Sequence, residues 1–168
     1  MSIEWLYGTI NGKKIRINKN DSLDIYSWRE CKVKEDYWYK MRPTLDSSRT
    51  NYKTYRVGIN RKIMLFSRVV YKLHNKDWDI SDGGKSNFID HINQHSSDNR
   101  IENLRVLTDQ QNKWNTSARG YSWNNVNNKW QAQIRVDRIL KTLGYFDDEE
   151  DAHDCYLYAK EYYHKINV

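Results

Sequence analysis

"FIDHINQHSSDNRIENLRVLTDQQNKWN", residues 88–115, is the stretch on which the reading of this chain turns. Asp90 and His91 adjoin, His95 follows four residues later, and asparagines stand at 93, 99, 103, 112 and 115. Three readings compete for so polar a run: a zinc site, a hydrolytic metal site, or a polar turn with no chemistry. The local pattern predicts a short extended entry over 87–90, a turn-rich connector, and a second strand at "LRVL", 104–107. Thr108 with Gln111 three residues on has the form of a capping box, which opens a helix and puts Asn112 in its first turns.

A helix carrying His91 and His95 would put both on one face, as some zinc sites require. Ile92, however, follows His91 where a metalloprotease needs its glutamate, and "SSDN" at 96–99 is turn-forming sequence with no cysteine near it. Hydrolysis of a phosphodiester asks for other groups. A histidine can serve as base near neutral pH, and one hard divalent cation held by oxygen ligands can neutralise the phosphate. An aspartate beside the histidine, with an amide carbonyl from a following helix, supplies such donors.

Working outward, the 168-residue chain is long enough for one ordinary domain or two small ones. Its 7 Trp and 13 Tyr argue for a folded protein rather than a disordered one. The net charge of +6 is uneven. Residues 1–87 hold 18 basic against 10 acidic side chains, while 88–117 and 118–168 each come to −1. A basic first half points to a polyanion, and nucleic acid is the usual one. Cys31 and Cys155 are isolated, which suits a reducing compartment. "MSIEWLYGTINGKK" reads as neither signal peptide nor membrane span, so a cytoplasmic, intracellular protein is expected.

Upstream, "KKIRI", "DYWYKM", "KTYRVGIN" and "KIMLF" are short β-type bursts separated by "NKND" and "DSSRTN", the pattern of a small antiparallel sheet. Leu65, Val69, Val70 and Leu73 then recur at helical spacing, and "DISDGGKSN" is a loop. Downstream, "GYSWNNVNNKWQAQIRVDRILKTLGYF" holds three strand-like pieces, and "DDEEDAHDCYLYAKEYYHK" a helix opened by acids. In "KWQAQIRV", Trp130, Ala132, Ile134 and Val136 share one face; Lys129, Gln131, Gln133 and Arg135 share the other.

The stretch at 88–115 resembles the HNH nuclease motif, in the version found in phage and intron-encoded homing endonucleases. Asp90-His91, Asn103-Leu104-Arg105, Leu107-Thr108 and Asn112 carry the likeness, and the letters H, N and N fall on His91, Asn103 and Asn112. The resemblance implies a ββα-metal finger that cuts double-stranded DNA. His91 would be the general base, Asp90 and Asn112 would hold one Mg²⁺ or Mn²⁺, and Asn103 would pin the loop of the finger. The preceding segment, "RVGINRKIMLFSRVVYKLH", resembles the strand and helix before such fingers, with Arg56, Arg61, Lys62 and Arg68 as phosphate-neutralising candidates. His95 has no role in the resemblance and reads as a loop residue.

The region from 118 resembles the AP2 DNA-binding domain, through "RGYSW", "NKWQAQIRV", "LGYF" and "EEDAHDCYLYA". Carried over, Arg119, Ser122, Lys129, Gln133 and Arg135 take DNA-facing places, where Arg reads guanine and Gln adenine. Leu140 and Thr142 stand where plant AP2 factors place Arg and Trp. The expectation is an α+β chain with an HNH region over 1–117, its finger at about 87–117, and an AP2-like reader over 118–168. It would be a phage or mobile-element homing endonuclease, acting as a nicking monomer or a double-cutting homodimer. A restriction- or packaging-type nuclease and a catalytically dead DNA-binding regulator are the alternatives.

Overall fold

A computed structural model describes residues 3–46 and 53–166. The turn expected at "DSSRTN" falls outside them apart from Asp46. The chain forms two compact units, Met1–Asp109 and Gln110–Val168.

The first unit opens with a four-stranded antiparallel sheet in the order β1 (Trp5–Ile10), β2 (Lys13–Asn18), β3 (Asp21–Arg29), β4 (Tyr37–Lys40). A second sheet joins β5 (Thr44–Asp46), β6 (Thr54–Ile59) and β7 (Lys62–Leu65). The expected single small sheet is therefore two. The bursts at 13, 36, 53 and 62 become β2, β4, β6 and β7, whereas β1 and β3 have weaker strand signals because glycine, aspartate and serine interrupt them. Alternation builds the core. Ile10, Ile15, Ile17 and Ile25 point inward from the first sheet, and Val57 and Ile59 from the second. They close on α1 (Phe66–His74), which buries Phe66, Val69, Val70 and Leu73 completely. Leu65 stays 42% exposed as the N-cap of α1, and Phe66 takes the buried place its spacing had suggested.

Two hairpin tips tie the sheets to each other. Asn11-Gly12 and Asn60-Arg61 both take left-handed φ at their two central residues, the turn that matches strand twist. Asn11 Nδ2 donates to the carbonyls of Ile59 (2.9 Å) and Asn60 (3.2 Å), and Asn60 Nδ2 donates back to the Asn11 carbonyl at 3.1 Å.

After α1 comes the loop to β8 (Phe88–His91), which pairs antiparallel with β9 (Leu104–Leu107) across a 3-10 turn at Ile101–Asn103. The short helix α2 (Asp109–Trp114) follows, so the expected order of strand, loop, strand and helix is present. The second unit is the sheet β10 (Tyr121–Asn124), β11 (Lys129–Val136), β12 (Ile139–Phe146), packed on α3 (Glu149–Tyr163). Asp148 caps α3 by accepting from the Glu150 N–H at 2.7 Å, and Glu149, Glu150 and Asp151 fill its first turn. Ala132 and Ile134 are buried on the α3 side of β11, whereas Arg135 is exposed. Among the described residues, no helix is long and apolar enough to cross a membrane.

Gly120 controls how this unit closes. Its φ is +73°, its carbonyl accepts from the Gln133 N–H at 2.8 Å, and a Cβ there would lie 2.0 Å from the ring of Tyr156 on α3. Gly120→Ala therefore has to push α3 off the sheet as well as bear an unfavourable φ. It should lower the stability of this unit by about 2 kcal/mol or more, a range typical of overpacking combined with backbone strain. Thermal melting monitored by tryptophan fluorescence checks this; an unchanged midpoint would contradict the close packing of Gly120 on Tyr156.

Candidate active site

The pairing of β8 with β9 sets the site. Asp90 lies opposite Arg105 and His91 opposite Leu104. Leu104 joins the main core and Leu107 is fully buried, so the hairpin is anchored by its second strand. Asp90 and His91 are themselves only 6% and 7% exposed. Buried polar groups need partners. Asp90 Oδ2 accepts from Arg105 Nε at 2.8 Å, a cross-strand ion pair with both side chains largely shielded. That contact aims the carboxylate.

His91 finds its partner in the loop: Nε2 lies 3.2 Å from Asn99 Oδ1. Asn99 Nδ2 donates to the Ser97 carbonyl at 3.2 Å, which turns the amide so that its oxygen faces the ring. Asn99, 5% exposed, is thus placed to orient the imidazole through its Nε2 edge. Sequence reasoning treats Asn99 only as a turn former, since an asparagine in "SSDN" has no local signal that separates the two roles.

The other polar residues of the stretch hold the loop itself. Asn103 Oδ1 accepts from the Asn93 N–H (2.9 Å), and its Nδ2 donates to the Asp98 carbonyl (2.8 Å). Asp98 accepts from Arg100 Nε (2.9 Å), Arg100 Nη2 (2.7 Å) and Asn93 Nδ2 (2.9 Å). The hydrogen-bonded Arg100 guanidinium holds the Asp98 carboxyl well below the usual carboxylate range. His95 is exposed, and only its backbone takes part: its N–H donates to Asn93 Oδ1 at 2.9 Å. Among the described residues no three His, Cys, Asp or Glu side chains gather into a metal-holding group, so the all-protein donor set of a structural zinc site is not formed.

Upstream, the loop before β8 is braced from α1. Arg68 donates Nη1 to the Asn87 carbonyl (2.9 Å) and Nη2 to those of Ile80 (2.8 Å) and Asp82 (2.9 Å), with its guanidinium over the Trp78 ring. Three carbonyls and a ring thus surround the guanidinium of Arg68, a phosphate-neutralising candidate in the sequence. Asn87, which the sequence did not single out, accepts from Trp78 Nε1 and donates to the Asp79 and Asp82 carbonyls, each at 2.9 Å. Arg56 is half-exposed and paired with Asp46 at 2.9 Å; Arg61 and Lys62 are exposed at and just after the β6–β7 turn.

In the second unit, Asn112 sits half-buried on α2. Arg119, Ser122 and Arg135 are exposed, Gln133 is half-buried, and Lys129 pairs with Asp147 at 3.1 Å. Gln131 is laced to Asn124 (3.0 Å), Thr142 (3.2 Å) and Tyr145 (3.1 Å), which stiffens the outer face of the sheet.

Asp90 and His91 thus end the first strand of a braced two-stranded hairpin. Residues 65–113 match a family model described as HNH endonuclease, and the chain therefore carries an HNH endonuclease domain there. The match starts at the end of β7, so it takes in α1 and the Arg68-braced loop as well as the hairpin and most of α2. No curated protein and no solved structure matches the chain.

Two outcomes follow from the loop. Asn99→Ala should slow DNA cleavage about 10- to 100-fold with KM little changed, the size of effect seen when a partner that orients a functional histidine is lost. Asn99→Asp should move the acid limb of the pH–rate profile to higher pH, because a carboxylate favours the protonated ring. A wild-type rate and profile in both variants would contradict an orienting role for Asn99. The second outcome concerns Asp98, whose folded pKa is depressed. Its contribution to stability is complete above its unfolded value of about 3.9 and is withdrawn only as pH falls through the lower folded value. Amide exchange of the 92–103 loop should therefore stay slow down to about pH 4 and quicken below it, whereas quickening between about pH 7 and 5 would contradict the pairing with Arg100.

Proposed function

We propose that this chain is a metal-dependent DNA endonuclease of the homing type, in which the HNH domain cuts and the C-terminal unit recognises. The observation that carries the reading is the placement of Asp90 and His91 together at the end of the β8–β9 hairpin, one oriented by Arg105 and the other by Asn99, within the matched segment. His91 takes a proton from water. The hydroxide so formed attacks phosphorus, the bond from phosphorus to the 3′ oxygen breaks, and that oxygen leaves and is protonated by solvent. The ends are a 5′-phosphate and a 3′-hydroxyl.

The donors fit a hard divalent cation. A carboxylate at Asp90 is an oxygen ligand of the kind Mg²⁺ and Mn²⁺ take, and one carboxylate leaves positions for water and phosphate; by the motif's resemblance, the Asn112 amide carbonyl would be the second donor. When bound, the ion supplies charge neutralisation at the phosphate and stabilises the leaving oxygen. Asn103 acts through the loop rather than on the substrate, since both ends of its amide are engaged there.

For recognition, the sheet β10–β12 resembles an AP2 reader in having its apolar face on α3 and a polar outer face. Arg119, Ser122, Lys129, Gln133 and Arg135 are the proposed contacts, with Gln133 and Arg135 the base readers and Lys129 a phosphate contact once released from Asp147. A monomer with one such centre nicks one strand, and a homodimer cuts both.

His91→Ala should abolish cleavage of plasmid DNA and leave duplex binding within about twofold, because the base makes no ground-state contact with the phosphate. Cleavage at the wild-type rate would contradict the base assignment. EDTA should stop the wild-type reaction and Mg²⁺ or Mn²⁺ restore it; restoration by Zn²⁺ alone would overturn the oxygen-ligand site. Arg135→Ala should relax sequence preference at one position by about 1–3 kcal/mol, measured on a randomised target library. Uniform weakening on every sequence would make Arg135 a phosphate contact only.

A further inference from the structure

The N-terminal unit carries a second cationic feature, away from the hairpin in sequence. A cavity of about 480 Å³ opens between the first two sheets, next to the laced tips of the β1–β2 and β6–β7 hairpins. Lys13, Arg29, Arg42 and Arg61 line it, and among the described residues no carboxylate does. None of these four cations takes part in an ion pair among the described residues, whereas Arg56, Arg100 and Arg105 all do. Lys13 and Arg61 adjoin the two laced turns, Arg29 ends β3 and Arg42 follows β4, and four charges so gathered repel one another. A fold that holds them there keeps a standing preference for an anion.

The walls say which anion. The apolar lining residues Met41, Val57 and Ile59 belong to the buried core and form a floor, so there is no deep apolar slot for a base. Tyr39 offers one ring, and the Arg29 guanidinium already lies over it at 4.8 Å. Three of the four cations are arginines, whose planar forks match phosphate oxygens in pairs. The volume is far larger than one phosphate and falls in the range of sites that hold a nucleotide-sized group. At Gly58 on β6, a Cβ would meet nothing within 4 Å, so the backbone there leaves the approach open.

We propose that this cavity grips the sugar-phosphate backbone of the DNA substrate at a point separate from the scissile bond, with Lys13, Arg29, Arg42 and Arg61 neutralising about two phosphates. This rests on the endonuclease reading above. It assigns a holding role to residues 13–61 of a unit for which the motif accounts only from residue 65 onward. Such a grip is independent of sequence, because phosphates are alike at every step.

Gly58→Glu tests it, since the new side chain enters open space at an ordinary φ and brings a carboxylate among the cations. Binding of the full-length chain to a duplex of about 30 base pairs is measured in EDTA over a range of KCl. Because the cavity then no longer neutralises its phosphates, the slope of log K against log salt should flatten by about 2, and affinity at about 0.1 M salt should fall at least tenfold. Arg42→Ala, on an exposed coil position, should flatten the slope by about 1. Melting of both variants should match wild type. Wild-type slopes in both variants would overturn the proposal. So would the finding that wild type binds a nucleoside monophosphate, Gly58→Glu does not, and DNA binding is unaltered; the cavity would then serve a free nucleotide. The endonuclease reading fails separately, if wild type with Mg²⁺ leaves plasmid DNA intact, and that result does not move the salt slopes.

Discussion

Everything in the site depends on the closure of β8 onto β9. Four residues pair with four, and a twelve-residue loop, 92–103, is pinned between them. Closing such a loop costs entropy that grows only slowly with its length, but the polar backbone inside it still has to be satisfied. The chain meets that demand with its own side chains. Asn103 spans the base of the loop, and Asp98 collects Arg100 and Asn93. With the loop fixed, Asn99 is held against His91 and orients its ring.

This explains why so much of the stretch is polar while so little of it is reactive. Asparagine at 93, 99 and 103 and aspartate at 98 serve the loop or the ring, whereas Asp90 and His91 are the groups proposed for chemistry. The order of elements was legible in the sequence because it rests on local signals: strand composition, turn residues and the capping pattern at Thr108. The role of Asn99 was not, because it depends on a contact across eight residues of loop. The bracing role of Arg68 was hidden for a related reason. A lone arginine on a helix in a basic region reads as a phosphate ligand, and only the folded loop shows three carbonyls converging on it.

The N-terminal unit shows the same limit at larger scale. Strong β-bursts marked β2, β4, β6 and β7, but β1 and β3 carry Gly8, Asp24 and Ser27 and gain their strand character from pairing partners rather than from their own propensity. The cavity flanked by Lys13, Arg29, Arg42 and Arg61 could not have been read from spacing, since its walls come from different sheets. In the second unit the sequence served better. The alternation in "KWQAQIRV" matches the observed burial of Ala132 and Ile134, and the acids of the last helix stand at its N-terminal end.

Chemical rescue is the measurement that tests the central claim most directly. His91→Ala removes the imidazole and keeps the hairpin, so free imidazole added to the variant can take up the missing proton-accepting role. The account predicts that plasmid cleavage by His91→Ala returns in proportion to the concentration of neutral imidazole, at the wild-type position and with 5′-phosphate ends. A variant that cleaves without imidazole, or one that binds DNA and metal normally yet is not revived by imidazole at any concentration, would contradict the assignment of His91 as the base.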